Sequence, residues 1–204
     1  MICYRNNIER VEKMQYKIEG ELTSGFSVIY KTVNNLELPM RIYMPEEKKA
    51  NGRTVINIHG GGWRGITKNE KWNGSYMKYQ ADYFSKLGFV GIEFSYRSIE
   101  LENTKIFDII DDCIDAMKYI KKLKYGNKEI IVCGDSAGGH LAIELAFAMD
   151  SSLRPQKVVA CNPVVDCTCE KWSYIEKDIY KRRLISPMYN MQRTDTIFCD
   201  AWHQ

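Results

Sequence analysis

The chain has 204 residues, of which 45% are hydrophobic and 27% charged, a composition typical of a globular domain rather than a disordered segment. Its formal net charge is +3 and its longest basic run is residues 181–183, which argues against a nucleic-acid partner. No apolar stretch is long enough to span a membrane, and the polar start lacks the apolar region of a signal peptide. We therefore expect a single cytoplasmic domain over residues 1–204.

The cysteines do not form a recognisable framework. There are seven, and Cys167 and Cys169 form a CxC pair with no second pair or nearby histidine to complete a zinc site. Several others lie in apolar runs, where cysteine behaves as a small hydrophobic residue. We expect reduced, structural thiols and no metal site.

The first half of the chain alternates strand and helix patterns. Residues 26–33 and 36–44 flank Asn34 and Asn35, a pair that favours a tight hairpin turn. Residues 54–59 read as a buried strand that runs into a series of glycines. Helical periodicity follows over residues 76–87 and ends at Gly88, and the next strand begins at Phe89.

The second half continues the alternation. Apolar residues recur at helical spacing over residues 106–123, after which residues 129–133 predict a strand, 137–149 a helix, and 157–161 and 195–199 two more strands. This order indicates an α/β fold with a mostly parallel central sheet flanked by helices. Residues 1–25 are expected to form an N-terminal extension, and residues 168–190 have no clean period and could form a lid-like insertion.

The segment GDSAG carries the strongest chemical signal. Gly134, Ser136 and Gly138 match G-x-S-x-G, and the match stands between a predicted strand and a predicted helix. Such a turn projects its serine from the end of the sheet, while the helix start directs amide groups toward developing negative charge. Ser136 is therefore the candidate nucleophile, the alternative being an ordinary polar turn.

A second motif, HGGGW at residues 59–63, follows the strand at residues 54–59. Three consecutive glycines leave backbone N–H groups unshielded, which suits an oxyanion hole better than it suits a plain flexible loop in this position.

With these two motifs, the chain resembles the α/β-hydrolase superfamily, specifically the hormone-sensitive-lipase-like esterases that carry HGGGW and GDSAGG. The resemblance extends from about Leu36 to Asn190. It implies hydrolysis of small acyl or acetyl esters through an acyl-enzyme on Ser136, without a metal or cofactor. It also implies an oxyanion hole formed by the amides of Gly61, Gly62 and Ala137.

Neighbouring polar and aromatic residues have simpler interpretations. We expect His59 to order the glycine loop, His140 to pack beside the sheet and Asp135 to have a structural role. Arg97 is expected to tether elements, with carboxylate binding as its alternative. Trp63 either contributes to the substrate pocket or packs in the core.

The acid and base of a triad are harder to find. In this fold they follow the nucleophile as Asp or Glu and then His, and His203 is the one histidine after residue 140. Asp200 and His203 could serve as acid and base, but they lie only three residues apart, so Asp200 could hardly orient the ring from behind.

The interpretation we favour is a C-terminally truncated copy of the fold that lacks the last strand and helix. We expect such a copy to self-associate through its open sheet edge. Three functions stay open: a serine carboxylesterase acting on a small-molecule ester, a catalytically impaired or non-catalytic ligand-binding protein, and a serine peptidase on the same fold.

Overall fold

The computed structural model describes residues 25–68, 72, 74–147 and 150–165. Several predicted features lie outside these residues: most of the N-terminal extension, Cys167 and Cys169, the lid-like insertion, the strand at residues 195–199, Asp200 and His203. The described strands are β1 (Phe26–Val33), β2 (Leu36–Tyr43), β3 (Arg53–Ile58), β4 (Val90–Phe94), β5 (Glu129–Asp135) and β6 (Lys157–Cys161). The helices are α1 (Lys78–Lys86), α2 (Ile106–Lys121) and α3 (Ala137–Phe147), with a 3-10 turn at Glu47–Lys49.

The six strands form one sheet in the order β1-β2-β4-β3-β5-β6. Strand β3 pairs in parallel with β4 and β5, and β5 pairs in parallel with β6. The pairs β1-β2 and β2-β4 are antiparallel. Three of the five described pairings are parallel, which confirms the predicted α/β architecture.

The hairpin between β1 and β2 has the predicted turn. Asn34 and Asn35 adopt φ values of 49° and 65°. Two consecutive left-handed residues define the type I′ turn, whose twist matches that of the flanking strands, and asparagine tolerates this conformation better than most residues.

The helices cover both faces of the sheet. A Cβ at Gly91 of β4 would lie 1.9 Å from the carbonyl oxygen of Ala81 in α1, so this glycine lets α1 pack directly on the sheet. In β3, Val55 pairs with Gly91 and Ile58 pairs with Gly134. Because Val55 and Ile58 are three residues apart, Gly91 and Gly134 face opposite sides of the sheet. Gly134 lies against α3, so α3 packs on the face opposite to α1. Among the described residues, no helix is long and apolar enough to cross a bilayer.

Helix α1 begins two residues later than its periodicity predicts. The backbone N–H and the hydroxyl of Ser75 donate to the Glu93 carboxylate at 2.9 and 2.7 Å, and the Ser75 hydroxyl accepts from the amide of Met77 at 3.1 Å. These bonds hold residues 75–77 in a turn before the first helical residue, Lys78. Because Tyr76 lies in this turn and not in the helix, its side chain extends to Gly60 and Asp135 at the carboxyl end of the sheet.

An ionic cluster joins the exit of β4 to α2 and β1. The Arg97 guanidinium donates to both carboxylate oxygens of Asp112, at 2.8 and 2.9 Å, and to the carbonyl of Asp108 at 2.7 Å. The Lys31 ammonium lies 2.8 Å from Asp112 as well. The Asp112 side chain is fully buried, so these partners replace its lost hydration. The predicted tethering role of Arg97 is confirmed.

Arg97→Lys should lower the free energy of unfolding by about 2 kcal/mol, because an ammonium cannot reproduce the bidentate fork on a buried carboxylate. Urea denaturation measures the loss. Arg64→Lys is the matched control, since the ion pair of Arg64 with Glu100 is exposed on both sides; its cost should stay within about 0.5 kcal/mol. Equal losses in the two variants would contradict the structural importance of the cluster.

Candidate active site

Ser136 occupies a sharp turn between β5 and α3. Its φ is +54°, a left-handed conformation that is uncommon for residues other than glycine. The Ser136 amide donates to the carbonyl of Cys161 at the end of β6, at 2.8 Å, and its carbonyl accepts from the amide of His140 at 3.1 Å. The strained turn is therefore held from both sides, as expected for a side chain that must be presented at a fixed position.

The two glycines of G-x-S-x-G are required by close backbone contacts. A Cβ at Gly134 would lie 2.0 Å from the carbonyl oxygen of Gly138, and one at Gly138 would lie 2.1 Å from that of Ile58. Any side chain at either position would push α3 away from β5 or from β3. The motif thus lets one helix start directly above two neighbouring strands, with Ser136 at the point of approach.

The glycine loop after β3 lies directly against this turn. A Cβ at Gly60 would lie 2.5 Å from the carbonyl oxygen of Asp135 and 3.1 Å from Cβ of Ser136. The next three residues, Gly61, Gly62 and Trp63, have φ values of +94°, +65° and +58°. A Cβ at Gly61 would meet no atom of the described residues within 4 Å, so within this part of the structure the loop borders open space.

Some backbone amides of the glycine loop and of the α3 start already donate a hydrogen bond, and others do not. The Gly60 amide donates to the Tyr76 hydroxyl at 2.8 Å. Among the described residues, the amides of Gly61, Gly62 and Ala137 have no acceptor. These three are the donors implied by the sequence, and they flank Ser136 from the loop and from the start of α3. The arrangement can accept a negatively charged oxygen.

His59 orders the glycine loop. Its Nδ1 donates to the carbonyl of Gly60 at 2.8 Å, and its ring stacks on Tyr96 with the ring centres 4.5 Å apart. Burial lowers the pKa of His59, which keeps the imidazole neutral at physiological pH. The Tyr96 hydroxyl donates to the carbonyl of His59 at 2.8 Å, which fixes the strand exit on a second side.

Trp63 and His140 form a buried polar pair. The indole Nε1 donates to Nδ1 of His140 at 3.3 Å, and the two rings meet edge to face at 85°. Nε2 of His140 lies 3.4 Å from a carboxylate oxygen of Glu144, one turn further along α3. Trp63 is only 4% exposed, so it packs in the core. Contact of its ring with substrate stays a prediction.

Tyr76 is a site residue that the sequence analysis missed. Its hydroxyl accepts from the Gly60 amide and donates to the carboxylate of Asp135 at 2.9 Å. Burial raises the pKa of the phenol and the neighbouring carboxylate raises it further, so the hydroxyl keeps its proton at neutral pH. No local pattern marks Tyr76, because its partners are 16 and 59 positions away. Asp135 has the structural role that was expected of it.

Tyr76→Phe should free the Gly60 amide, and we expect its hydrogen exchange to accelerate while the free energy of unfolding falls by about 1 kcal/mol. Two-dimensional NMR exchange and urea denaturation measure the two effects. Tyr79→Phe is the control, because Tyr79 is as exposed as Tyr76, each at 53%. Unchanged exchange at Gly60 in Tyr76→Phe would show that the bond does not hold the loop.

Among the described residues, the structure brings together Ser136, the loop glycines and the start of α3. Asp200 and His203 lie outside the described residues. The two described histidines, His59 and His140, are both engaged in buried contacts of their own.

The sequence is similar to those of two curated proteins of Mycobacterium tuberculosis. "Esterase LipU" of Mycobacterium tuberculosis is 28% identical over 119 residues, which are 58% of this chain and 38% of LipU. "Carboxylesterase/phospholipase LipF" of the same organism is 37% identical over 57 residues, which are 28% of this chain and 15% of LipF. The chain thus spans well under half the length of these curated relatives.

Solved structures agree on the fold. Thermogutta terrifontis esterase 2 phosphoramylated by tabun superimposes with a TM-score of 0.61 at 23% identity, over 83% of this chain and 65% of that one. The propionate-bound form superimposes with a TM-score of 0.58 at 24% identity, over 81% and 64%. The BD-FAE family model matches residues 40–173, which include both glycine motifs. The chain belongs to the BD-FAE family and has the α/β-hydrolase fold.

Proposed function

We propose that this protein is a serine carboxylesterase that hydrolyses small acyl or acetyl esters through an acyl-enzyme on Ser136. The observation that carries the proposal is the placement of Ser136, in a left-handed turn between β5 and α3, against a loop whose Gly61 and Gly62 amides have no acceptor among the described residues. A serine and unpaired amides beside it are two of the parts that acyl transfer requires, the third being a general base.

In the first step, the Ser136 oxygen attacks the ester carbonyl carbon and its proton passes to a general base. The carbonyl π electrons move onto oxygen, and the amides of Gly61, Gly62 and Ala137 stabilise the resulting oxyanion. Each such donor contributes about 3–4 kcal/mol to the transition state. Collapse of the intermediate breaks the bond to the alkoxy group, which leaves as an alcohol after receiving the proton. Water then repeats the sequence on the acyl-enzyme and releases the carboxylic acid.

The base must come from outside the described residues. Nδ1 of His59 donates to a carbonyl of its own loop, and both ring nitrogens of His140 face Trp63 and Glu144. His203 is the remaining histidine of the chain. We propose His203 as the base, with Asp200 as its acid partner; their separation of only three residues keeps open the alternative of a truncated chain whose triad is incomplete.

A small acyl group is supported by the solved relatives. Forms of Thermogutta terrifontis esterase 2 have been solved with propionate bound and with butyrate bound. The same protein has been solved phosphonylated by sarin, an adduct of an electrophilic phosphorus reagent. We extend both properties to this chain as part of the proposal: a preference for short acyl groups, and reaction of Ser136 with organophosphorus probes.

A fluorophosphonate probe followed by intact mass and peptide mapping should label the wild-type chain once, at Ser136. Ser136→Ala should show no label and no hydrolysis of a short-chain aryl ester, because both reactions need the serine oxygen. Circular dichroism should show the two proteins equally folded. Labelling elsewhere, or ester hydrolysis that survives in Ser136→Ala, would overturn the assignment of the nucleophile.

The reaction class is tested with a matched pair of substrates, an acetyl aryl ester and a dipeptide amide. Turnover of the ester alone supports the esterase, whereas preferential turnover of the amide would favour the peptidase. Tight binding of either compound without product release would indicate the non-catalytic ligand-binding protein.

His203→Ala should slow acylation of Ser136 by at least about 1000-fold, since an unassisted serine hydroxyl is a weak nucleophile. Asp200→Asn should slow it less, because the base itself remains. Rates of probe labelling measure both effects. Labelling of His203→Ala at the wild-type rate would exclude His203 as the base and leave Ser136 without one from this chain.

A further inference from the structure

The glycine loop contains a strained residue that is not glycine. Trp63 has a φ of +58°, directly after two glycines in the same left-handed region. For a bulky side chain this conformation costs of order 1–3 kcal/mol and persists only where surrounding contacts enforce it. A loop that positions amides at Gly61 and Gly62 therefore depends on whatever holds Trp63 in place.

Two contacts hold it. The carbonyl of Trp63 accepts from the amide of Ile99 at 3.0 Å. The indole nitrogen donates to Nδ1 of His140 at 3.3 Å, in a region where Trp63 and His140 are only 4% and 8% exposed. Since buried polar groups have no access to water, loss of this acceptor would leave the indole N–H unsatisfied.

The chemistry of the two side chains fixes where the His140 proton lies. An indole N–H can donate but cannot accept, so Nδ1 must carry the lone pair. The ring proton of neutral His140 is then on Nε2, which faces the Glu144 carboxylate at 3.4 Å. A hydrogen bond from Trp63 to His140 and a 3.4 Å polar contact from His140 to Glu144 thus connect the glycine loop to the second turn of α3.

His140 also belongs to the nucleophile's own helix. Its backbone amide donates to the carbonyl of Ser136 at 3.1 Å. One residue is thus bonded through its backbone to the turn that carries the nucleophile, and through its side chain to the loop that carries the oxyanion donors. No other described histidine connects these two segments.

We propose that His140 is a positioning residue: its Nδ1 lone pair holds the Trp63 indole and so keeps the Gly61 and Gly62 amides in place beside Ser136. The catalytic consequence rests on the proposed esterase function. The tautomer of His140 and its contact with the loop are independent of that function, because they follow from the geometry of Trp63, His140 and Glu144.

Two isosteric substitutions separate this role from simple packing. In His140→Asn the side-chain oxygen can occupy the place of Nδ1 and accept from the indole, whereas in His140→Gln the terminal amide matches the place of Nε2. We expect His140→Asn to be labelled by the fluorophosphonate within about threefold of the wild-type rate. We expect His140→Gln and His140→Ala to be slower by at least about tenfold, since misplacing a loop by 1 Å can cost about 100-fold.

Steady-state kinetics on the aryl ester adds a second readout. The slow variants should lose kcat with little change in KM, because the amides act on the transition state rather than on the bound ester. Trp63→Phe removes the donor and should cause a similar loss, and the double variant Trp63→Phe/His140→Ala should be no slower than either single variant. Additive losses would overturn the proposal.

Nitrogen-15 NMR of the imidazole tests the same proposal without any activity. Wild type should show His140 with a bare Nδ1 and a protonated Nε2, and the Trp63 indole proton should exchange slowly in wild type and His140→Asn but fast in His140→Gln. A protonated Nδ1, or equal indole exchange in the Asn and Gln variants, would overturn it. If the wild type neither reacts with the probe nor hydrolyses the ester, the esterase proposal fails, and these NMR results decide the role of His140 by themselves.

Discussion

At the carboxyl end of the sheet, the backbones of β5, α3 and β3 approach so closely that a Cβ at Gly134 or Gly138 would lie 2.0 or 2.1 Å from a carbonyl oxygen. This approach places the start of α3 above two parallel strands. It also forces the intervening Ser136 into a left-handed turn. The amides of the helix start and the strained serine are therefore consequences of one packing constraint, which glycine alone can satisfy.

The glycine loop is attached to this turn mainly by polar side chains. The Tyr76 hydroxyl accepts from the Gly60 amide and donates to the Asp135 carboxylate, and His140 accepts from the Trp63 indole. Hydrophobic burial alone would allow several loop positions, because it is not directional. Hydrogen bonds are directional and favour one position, and the buried Trp63 indole would be left unsatisfied in any other.

The sequence by itself determined the order of elements, the α/β class and the motif around the candidate nucleophile, Ser136. Apolar periodicity located the three helices within a few residues of their bounds, and Asn34–Asn35 marked the hairpin. Ser136 and the loop glycines stood out because backbone conformations with positive φ, and backbones in close contact, admit few residue types. Such constraints are local, and local constraints are readable from sequence.

Only the tertiary structure decided which distant residues hold the candidate site in place. Tyr76 looked like the first residue of a helix, yet the bonds of Ser75 to Glu93 hold it in a turn and direct it toward Asp135. The sequence allowed Arg97 either a tethering role or a ligand-binding role. In the structure its guanidinium is bonded to the Asp112 carboxylate, so it tethers. These roles depend on partners that lie on other strands and helices. The residues adjacent in sequence do not indicate which distant residue will become the partner.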